Sequence, residues 1–252
     1  QVAASLPAQP TNATLMRKGS YYPAETTVIN KKGIHIYGSL GTDWDLSQPD
    51  YELPTIIDGR DILAGKTLLE IPADDCLIDG VKFANTSDNL AVLFETQQDA
   101  SVTNCTFKNL TNIQSGPAAI SAEGANLLVN NSKFINCSAA HWAGAISAPG
   151  SGTDVLNNCV FTRCRVTEYS TWGGRVWLGD TYGAAVAAGT GEQNIVNCTF
   201  YDNAQEGVKY LIGQDLAANS QVNVYNSIVQ QKQPSDVYII GAVTNDPAVD
   251  TY

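Results

Sequence analysis

The chain has 252 residues, 14 of them Lys or Arg and 25 Asp or Glu, for a net charge of −11. That balance argues against nucleic acid and against a polybasic membrane-surface role, since both need a basic footprint. Charged residues make up only 15% of the chain while 44% are hydrophobic, which favours β-structure with tight polar turns over helical bundles.

Taken in chain order, residues 1–17 carry Pro7 and Pro10 and are expected to cap the N-terminal end of the fold. They lack the charged and apolar regions of a signal peptide, as expected of a mature or a cytosolic chain. No apolar run reaches the ~18 residues of a membrane-spanning helix. The runs IHIYG (34–38), TIIDG (55–59), LLEI (68–71) and AVLF (91–94) read as short strands.

A repeat then becomes plain: LIDGVKF (77–83), SVTNCTF (101–107), LVNNSKF (128–134), VLNNCVF (155–161), NIVNCTF (194–200) and NVYNSIV (223–229). Their last residues are Phe83, Phe107, Phe134, Phe161, Phe200 and Val229, separated by 24, 27, 27, 39 and 29 residues. Three residues before each stands Gly80, Asn104, Asn131, Asn158, Asn197 or Asn226. A second series, PAAIS (117–121), AGAIS (143–147), GAAVA (183–187) and YLIGQ (210–214), alternates with the first.

Each unit is two or three short β-runs broken by Gly or Asn. That organisation predicts an all-β, single right-handed parallel β-helix over 18–230, with coils of about 24–29 residues and an Asn ladder at one corner. Stacked coils lie ~4.8 Å apart, so like residues form columns and amides can bond from coil to coil. Asn also tolerates the left-handed backbone of a tight corner. Residues 231–252 read as a last strand and tail, and an uncovered coil end would favour end-to-end association.

The GAI-type motif, closest at AGAIS (143–147), and the Phe-x-x-Asn-type motif, complete only at FYDN (200–203), resemble the coils of polymorphic outer-membrane-protein passengers and related bacterial surface β-helix proteins. FKNL, FINC and FTRC depart from the second motif. The segment KGSYYP…PTIIDG (18–59) is similar to the opening coils of secreted bacterial β-helix proteins. The resemblance implies the β-helix fold and an extracellular or cell-surface location. It does not choose between adhesins, lyases and hydrolases, which share the fold.

The 39-residue interval exceeds its neighbours by 12 residues, which sit in TEYSTWGGRVWLGDTYG (167–183). Long loops on rigid scaffolds commonly carry function. This one holds Tyr169, Trp172, Trp177 and Tyr182 with Glu168, Arg175 and Asp180. Aligning Ile146 with Val186 sets His141 and Trp142 one coil away. The expected ligand-binding set is His141, Trp142, Tyr169, Trp172, Arg175, Trp177, Asp180 and Tyr182, suited to a polysaccharide or glycan because pyranose faces stack on aromatic rings.

The expected function is an adhesin-like carbohydrate-binding module. A polysaccharide lyase or glycoside hydrolase is the enzymatic alternative, drawing on Glu168, Asp180, His141 and Arg175. A structural, self-assembling surface protein with protein partners at its coil ends is the third. Two His and six Cys, with no CxxC or HExxH, argue against zinc or haem. No cofactor is expected; DWD (43–45) and ADD (73–75) are a faint Ca²⁺ signal. Cys105, Cys159 and Cys198 share one inward column, and Cys137 and Cys164 another, where a bridge competes with two buried thiols.

Overall fold

The structure is a computed structural model that describes residues 12–40, 49–52, 54–95, 99–114, 116–124, 126–140, 143–167, 170–172, 175–177, 184–189, 191–203, 210–215, 221–230 and 238–243. The chain winds through three parallel sheets, called A, B and C in the order each coil visits them. Sheet A runs from Ala13–Arg17 to Gln221–Tyr225, sheet B from Gly19–Tyr21 to Ile228–Gln230, and sheet C from Thr27–Val28 to Tyr238–Val243. Among the described residues each sheet's main path has eight strands, one per coil, so the solenoid has eight coils. A representative coil is Asp99–Thr103 in A, Thr106–Asn112 in B and Ile120–Ala122 in C.

Alternation along each strand turns every second side chain inward, and parallel register stacks these into columns. In sheet A the column is Ile36, Ile78, Val102, Val129, Leu156, Ile195 and Val224. Sheet B contributes Ile57, Phe83, Phe107, Phe134, Phe161, Phe200 and Val229. Sheet C contributes Leu69, Val92, Ile120, Ile146, Val186 and Ile212. The five Phe rings lie face over face at 5.1, 4.9, 4.7 and 4.8 Å between centroids, all fully buried.

The corner between A and B is the Asn column read from the sequence. Gly80, Asn104, Asn131, Asn158, Asn197 and Asn226 all have φ between 45° and 70°. Asn158 Nδ2 donates to Asn131 Oδ1 and Asn226 Nδ2 to Asn197 Oδ1, each at 2.6 Å. A parallel rung joins Asn157 Nδ2 to Asn130 Oδ1 at 2.9 Å. Gly80 opens the column because the Tyr51 ring lies 2.9 Å from where a Cβ would stand.

A second left-handed column, which the repeat did not reveal, bends each sheet B segment two residues after the Phe. It comprises Asn85, Asn109, Asn136, Arg163 and Asp202, with φ between 53° and 60°. The ladder begins at Ala13, within the segment expected as a cap, where Ala13–Arg17 pairs with His35–Leu40. At the far end Tyr238–Val243 pairs with Tyr210–Asp215.

All six cysteines are free buried thiols. Cys137 and Cys164 are hydrogen-bonded neighbours rather than a bridge, and burial pushes the Cys137 thiol well up. Burial also raises Cys76 and Cys105 to about 12, so they pack as small hydrophobes.

Candidate functional site: a groove over the third sheet

The side chains between the inward columns of sheet C point outward, and register lines up Glu70, Leu93, Ser121, Ser147 and Ala187. On an open solenoid face these would be exposed. Ser121, Ser147 and Ala187 are instead only 7%, 4% and 2% exposed, because loops rise on both sides of them. The result is a groove of about 370 Å³, within the usual range of ligand sites. Leu93, Ser121 and Ser147 form its floor; Asp88, Asn112, Gln114 and Pro117 form one wall, and Glu123 and Pro149 the other margin.

The first wall is pinned by buried amides and a carboxylate at the corner between sheets B and C. Asn112 Nδ2 donates to the Pro117 carbonyl at 2.8 Å, and its Oδ1 accepts from the Gln114 backbone at 3.0 Å. Asp88 accepts from the Ile113 backbone and from Gln114 Nε2, both at 3.1 Å. One coil earlier, Asn89 Nδ2 donates to the carbonyls of Leu63 and Lys66 at 2.7 and 2.9 Å. With these polar groups used internally, the wall is rigid. Ser121 and Ser147 lie on the floor, each residue more than nine-tenths buried.

One glutamate, Glu123, lines the groove's outer margin. The Glu123 backbone N–H donates to the Phe94 carbonyl at 3.0 Å, which sets Glu95 beside Glu123 on the neighbouring coil. Glu70 is hydrogen-bonded to Glu95, and its carboxyl is raised by burial and by the Glu95 charge.

The aromatic insertion leaves sheet B after Arg165–Val166, which pairs with Ser138 and Ala139, and rejoins the coil before Val186–Ala188 in sheet C. It therefore springs from the same B-to-C corner that supplies the groove's wall. Within it Ser170–Trp172 and Arg175–Trp177 form an antiparallel hairpin that sets Trp172 opposite Arg175 and Ser170 opposite Trp177. His141, Trp142, Glu168, Tyr169, Asp180 and Tyr182 lie outside the described residues, as do the side chains of Trp172, Arg175 and Trp177.

The groove itself was missed by sequence reasoning. Its signal was the residue after each GAI-type position, where Ser121, Ser147 and Ala187 are small. The outward positions of sheet B, by contrast, hold Lys82, Thr106, Lys133 and Val160.

A second polar cluster lies on the outer face of sheet A. Asn104 Nδ2 donates to Asp79 Oδ1 at 2.8 Å and to the Tyr51 hydroxyl at 3.1 Å, and His35 Nδ1 lies 3.2 Å from the Tyr37 hydroxyl. Burial raises the Asp79 carboxyl, and burial with the Asp79 charge pushes Tyr51 up to about 12. No enclosing walls accompany it among the described residues.

Among the described residues no group of three or more His, Cys, Asp or Glu is placed to hold a metal ion. Asp75 of the ADD segment sits in a turn with φ 60°, its backbone N–H donating to the Asp99 carbonyl; DWD lies outside the described residues. No helix among the described residues is long and apolar enough to cross a membrane.

The family model described as "Right handed beta helix region" matches residues 70–246. Among solved structures, the deglycosylated pectin methylesterase of Aspergillus niger is 10% identical over 92% of this chain and 81% of its own, with a TM-score of 0.39. A point mutant of a pectin methylesterase in complex with a hexasaccharide is 12% identical over 99% and 89%, also at 0.39. No curated protein matches the chain.

Proposed function

We propose that this chain, which belongs to the right-handed β-helix family, is an exported, adhesin-like module that binds a glycan in the sheet C groove. Trp172, Trp177 and their neighbours in 167–183 contribute further contacts. The observation that carries this reading is a groove of about 370 Å³ over sheet C, with Ser121 and Ser147 on its floor and a wall held by its own hydrogen bonds. A concave site that offers a few polar groups beside the apolar Leu93 suits a sugar, which carries both hydroxyls and an apolar C–H face. The likeness to surface passenger repeats and the Lys-poor, acidic composition support a place outside the cell.

Native gels containing embedded polysaccharides test this directly. The parent should be retarded by at least one polymer that it leaves uncleaved. The Ser147→Phe variant, which fills the floor, and the Trp172→Ala/Trp177→Ala variant should run freely. A Ser121→Ala/Ser147→Ala variant keeps the packing and should be retarded less than the parent. Full retardation of a folded Ser147→Phe variant would remove the groove from the reading. A cleared zone around the parent would replace binding by hydrolysis or elimination.

A further inference from the structure

Both ends of the solenoid leave the core incompletely covered. Among the described residues, six partly buried hydrophobics pack against the core. Met16, Ile29 and Ile57 belong to the first two coils, and Val222, Val224 and Val229 to the eighth. In the first coil, register places Thr14, Tyr21 and Thr27 in the inward columns next to Ile36, Ile57 and Leu69, yet all three are exposed. Beside them lies an apolar hollow of about 380 Å³, whose lining includes Tyr21, Tyr22, Ile36, Leu68 and Phe83.

Strand edges are open at the same two places. Among the described residues, Ala13–Arg17, Gly19–Tyr21 and Thr27–Val28 have a neighbouring strand on one side only, as do Gln221–Tyr225, Ile228–Gln230 and Tyr238–Val243. Such edges are templates for a further strand. The large hydrophobics Tyr22 and Val28 stand exposed at one end, Tyr225 and Ile228 at the other. The two ends also differ in charge. Residues 1–34 hold Arg17, Lys18, Lys31 and Lys32 against Glu25, a net of +3. Residues 192–252, from the seventh coil onward, hold seven acids against two lysines, a net of −5.

We infer that each end binds a second copy of this chain, head to tail, the basic first coil of one copy stacking on the acidic last coil of the next. Stacking of coils is parallel, so the eighth coil accepts a first coil as the seventh accepts the eighth. Continued register sets Val224 against Thr14, Val229 against Tyr21 and Ile240 against Thr27. The hollow is then closed and the partly buried residues at both ends leave water, which drives association. Opposite charge speeds encounter and selects this pairing, since two like ends would set like charge on like. The contact joins different surfaces of the two copies and repeats along the solenoid axis, so it grows an open filament. It does not involve the sheet C groove, whose lining lies between Gly65 and Pro149.

Sedimentation velocity of the full chain over an about hundredfold range of concentration tests this. The parent should shift from monomer to a growing series of species, with filaments in electron micrographs at the highest concentration. Thr14→Lys and Val224→Lys each set an unpaired cation in the seam, where burying it is costly, and each variant alone should remain monomeric. Mixed, they should form an equimolar dimer and go no further, because one retains an intact last coil and the other an intact first coil. Leu128→Lys, an equal gain of charge on an exposed residue in the middle of the solenoid, should assemble like the parent. Lys31→Glu/Lys32→Glu should weaken assembly about tenfold or more. Circular dichroism that matches the parent marks each variant as folded.

A parent that stays monomeric at every concentration would overturn the inference, the ends then being covered within one chain. Folded Thr14→Lys and Val224→Lys variants that assemble alone, or that fail to pair on mixing, would overturn the head-to-tail register. Assembly unchanged by Lys31→Glu/Lys32→Glu would remove the charge complementarity that selects a second copy.

Discussion

Asp154 is an acid in a column of inward side chains. It follows Ala100 and Leu127 and precedes Gln193 and Val222, and it is 3% exposed. Its Oδ1 accepts from the Leu127 backbone at 2.9 Å, and the Gln193 side chain on the next coil has no partner for either Nε2 or Oε1 among the described residues. Burial raises the Asp154 carboxyl from 3.8 to about 7. At roughly 1.4 kcal/mol per pH unit, ionising this group inside the fold costs about 4 kcal/mol.

The folded chain holds this proton where the unfolded chain has lost it. Stability therefore falls as pH rises from 3.8 toward about 7, and levels off above that. Asp154→Asn keeps the acceptor for Leu127, carries no charge and offers an N–H to Gln193. Urea denaturation followed by circular dichroism from about pH 4 to about pH 8 should show parent and variant converging at the acid end and separating by up to about 4 kcal/mol at the alkaline end, the variant being more stable. Every other carboxyl contributes to both curves and cancels in the difference. Parallel curves would refute the reasoning, because they would mean that Asp154 is ionised at little cost within the fold.

Two further predictions rest on the columns. Phe134 stacks on two rings, at 4.9 and 4.7 Å, whereas Phe83 stacks on one at 5.1 Å. Phe134→Leu should therefore cost about 0.5–1.5 kcal/mol more in urea denaturation than Phe83→Leu, and equal costs would show that ring stacking adds nothing to apolar burial. Arg163 holds φ 53° in a column otherwise made of Asn and Asp. Arg163→Asn should raise the denaturation midpoint, by about 0.5–1 kcal/mol in stability, and a neutral or negative change would mean that the arginine's own contacts outweigh its backbone strain.

The core of this protein was legible because a solenoid writes each rule several times. One Phe among 252 residues means little, but five at spacings of 24, 27, 27 and 39 residues declare a column, and register then joins Phe83 to Phe200 as that spacing implies. The Asn104-to-Asn226 corner was legible for the same reason. The second corner was not, since Asn85, Asn109, Asn136, Arg163 and Asp202 share a backbone conformation rather than a residue type. Nothing in the side chains alone says that the Arg at 163 must turn as the Asn at 136 does. The insertion's length and its attachment near Ile146 and Val186 were readable; that its corner also walls a groove over Ser121 and Ser147 needed the loops in three dimensions.

The informative positions are thus those where a column breaks its own pattern. Gly80 stands where Asn should, because Tyr51 occupies the space of a side chain. Asp154 and Gln193 stand where Leu127 and Val222 do, and bring two polar side chains into the core, of which Gln193 has no partner among the described residues. Ser121 and Ser147 stand on an outward face yet are buried, in a column that begins with Glu70 and Leu93. Stacking alone would favour like residues on every coil, so each exception needs a local cause. At Gly80 the cause is visible as a neighbouring ring. At the two serines the cause is the loops that rise on either side and turn an outward face into the floor of a groove.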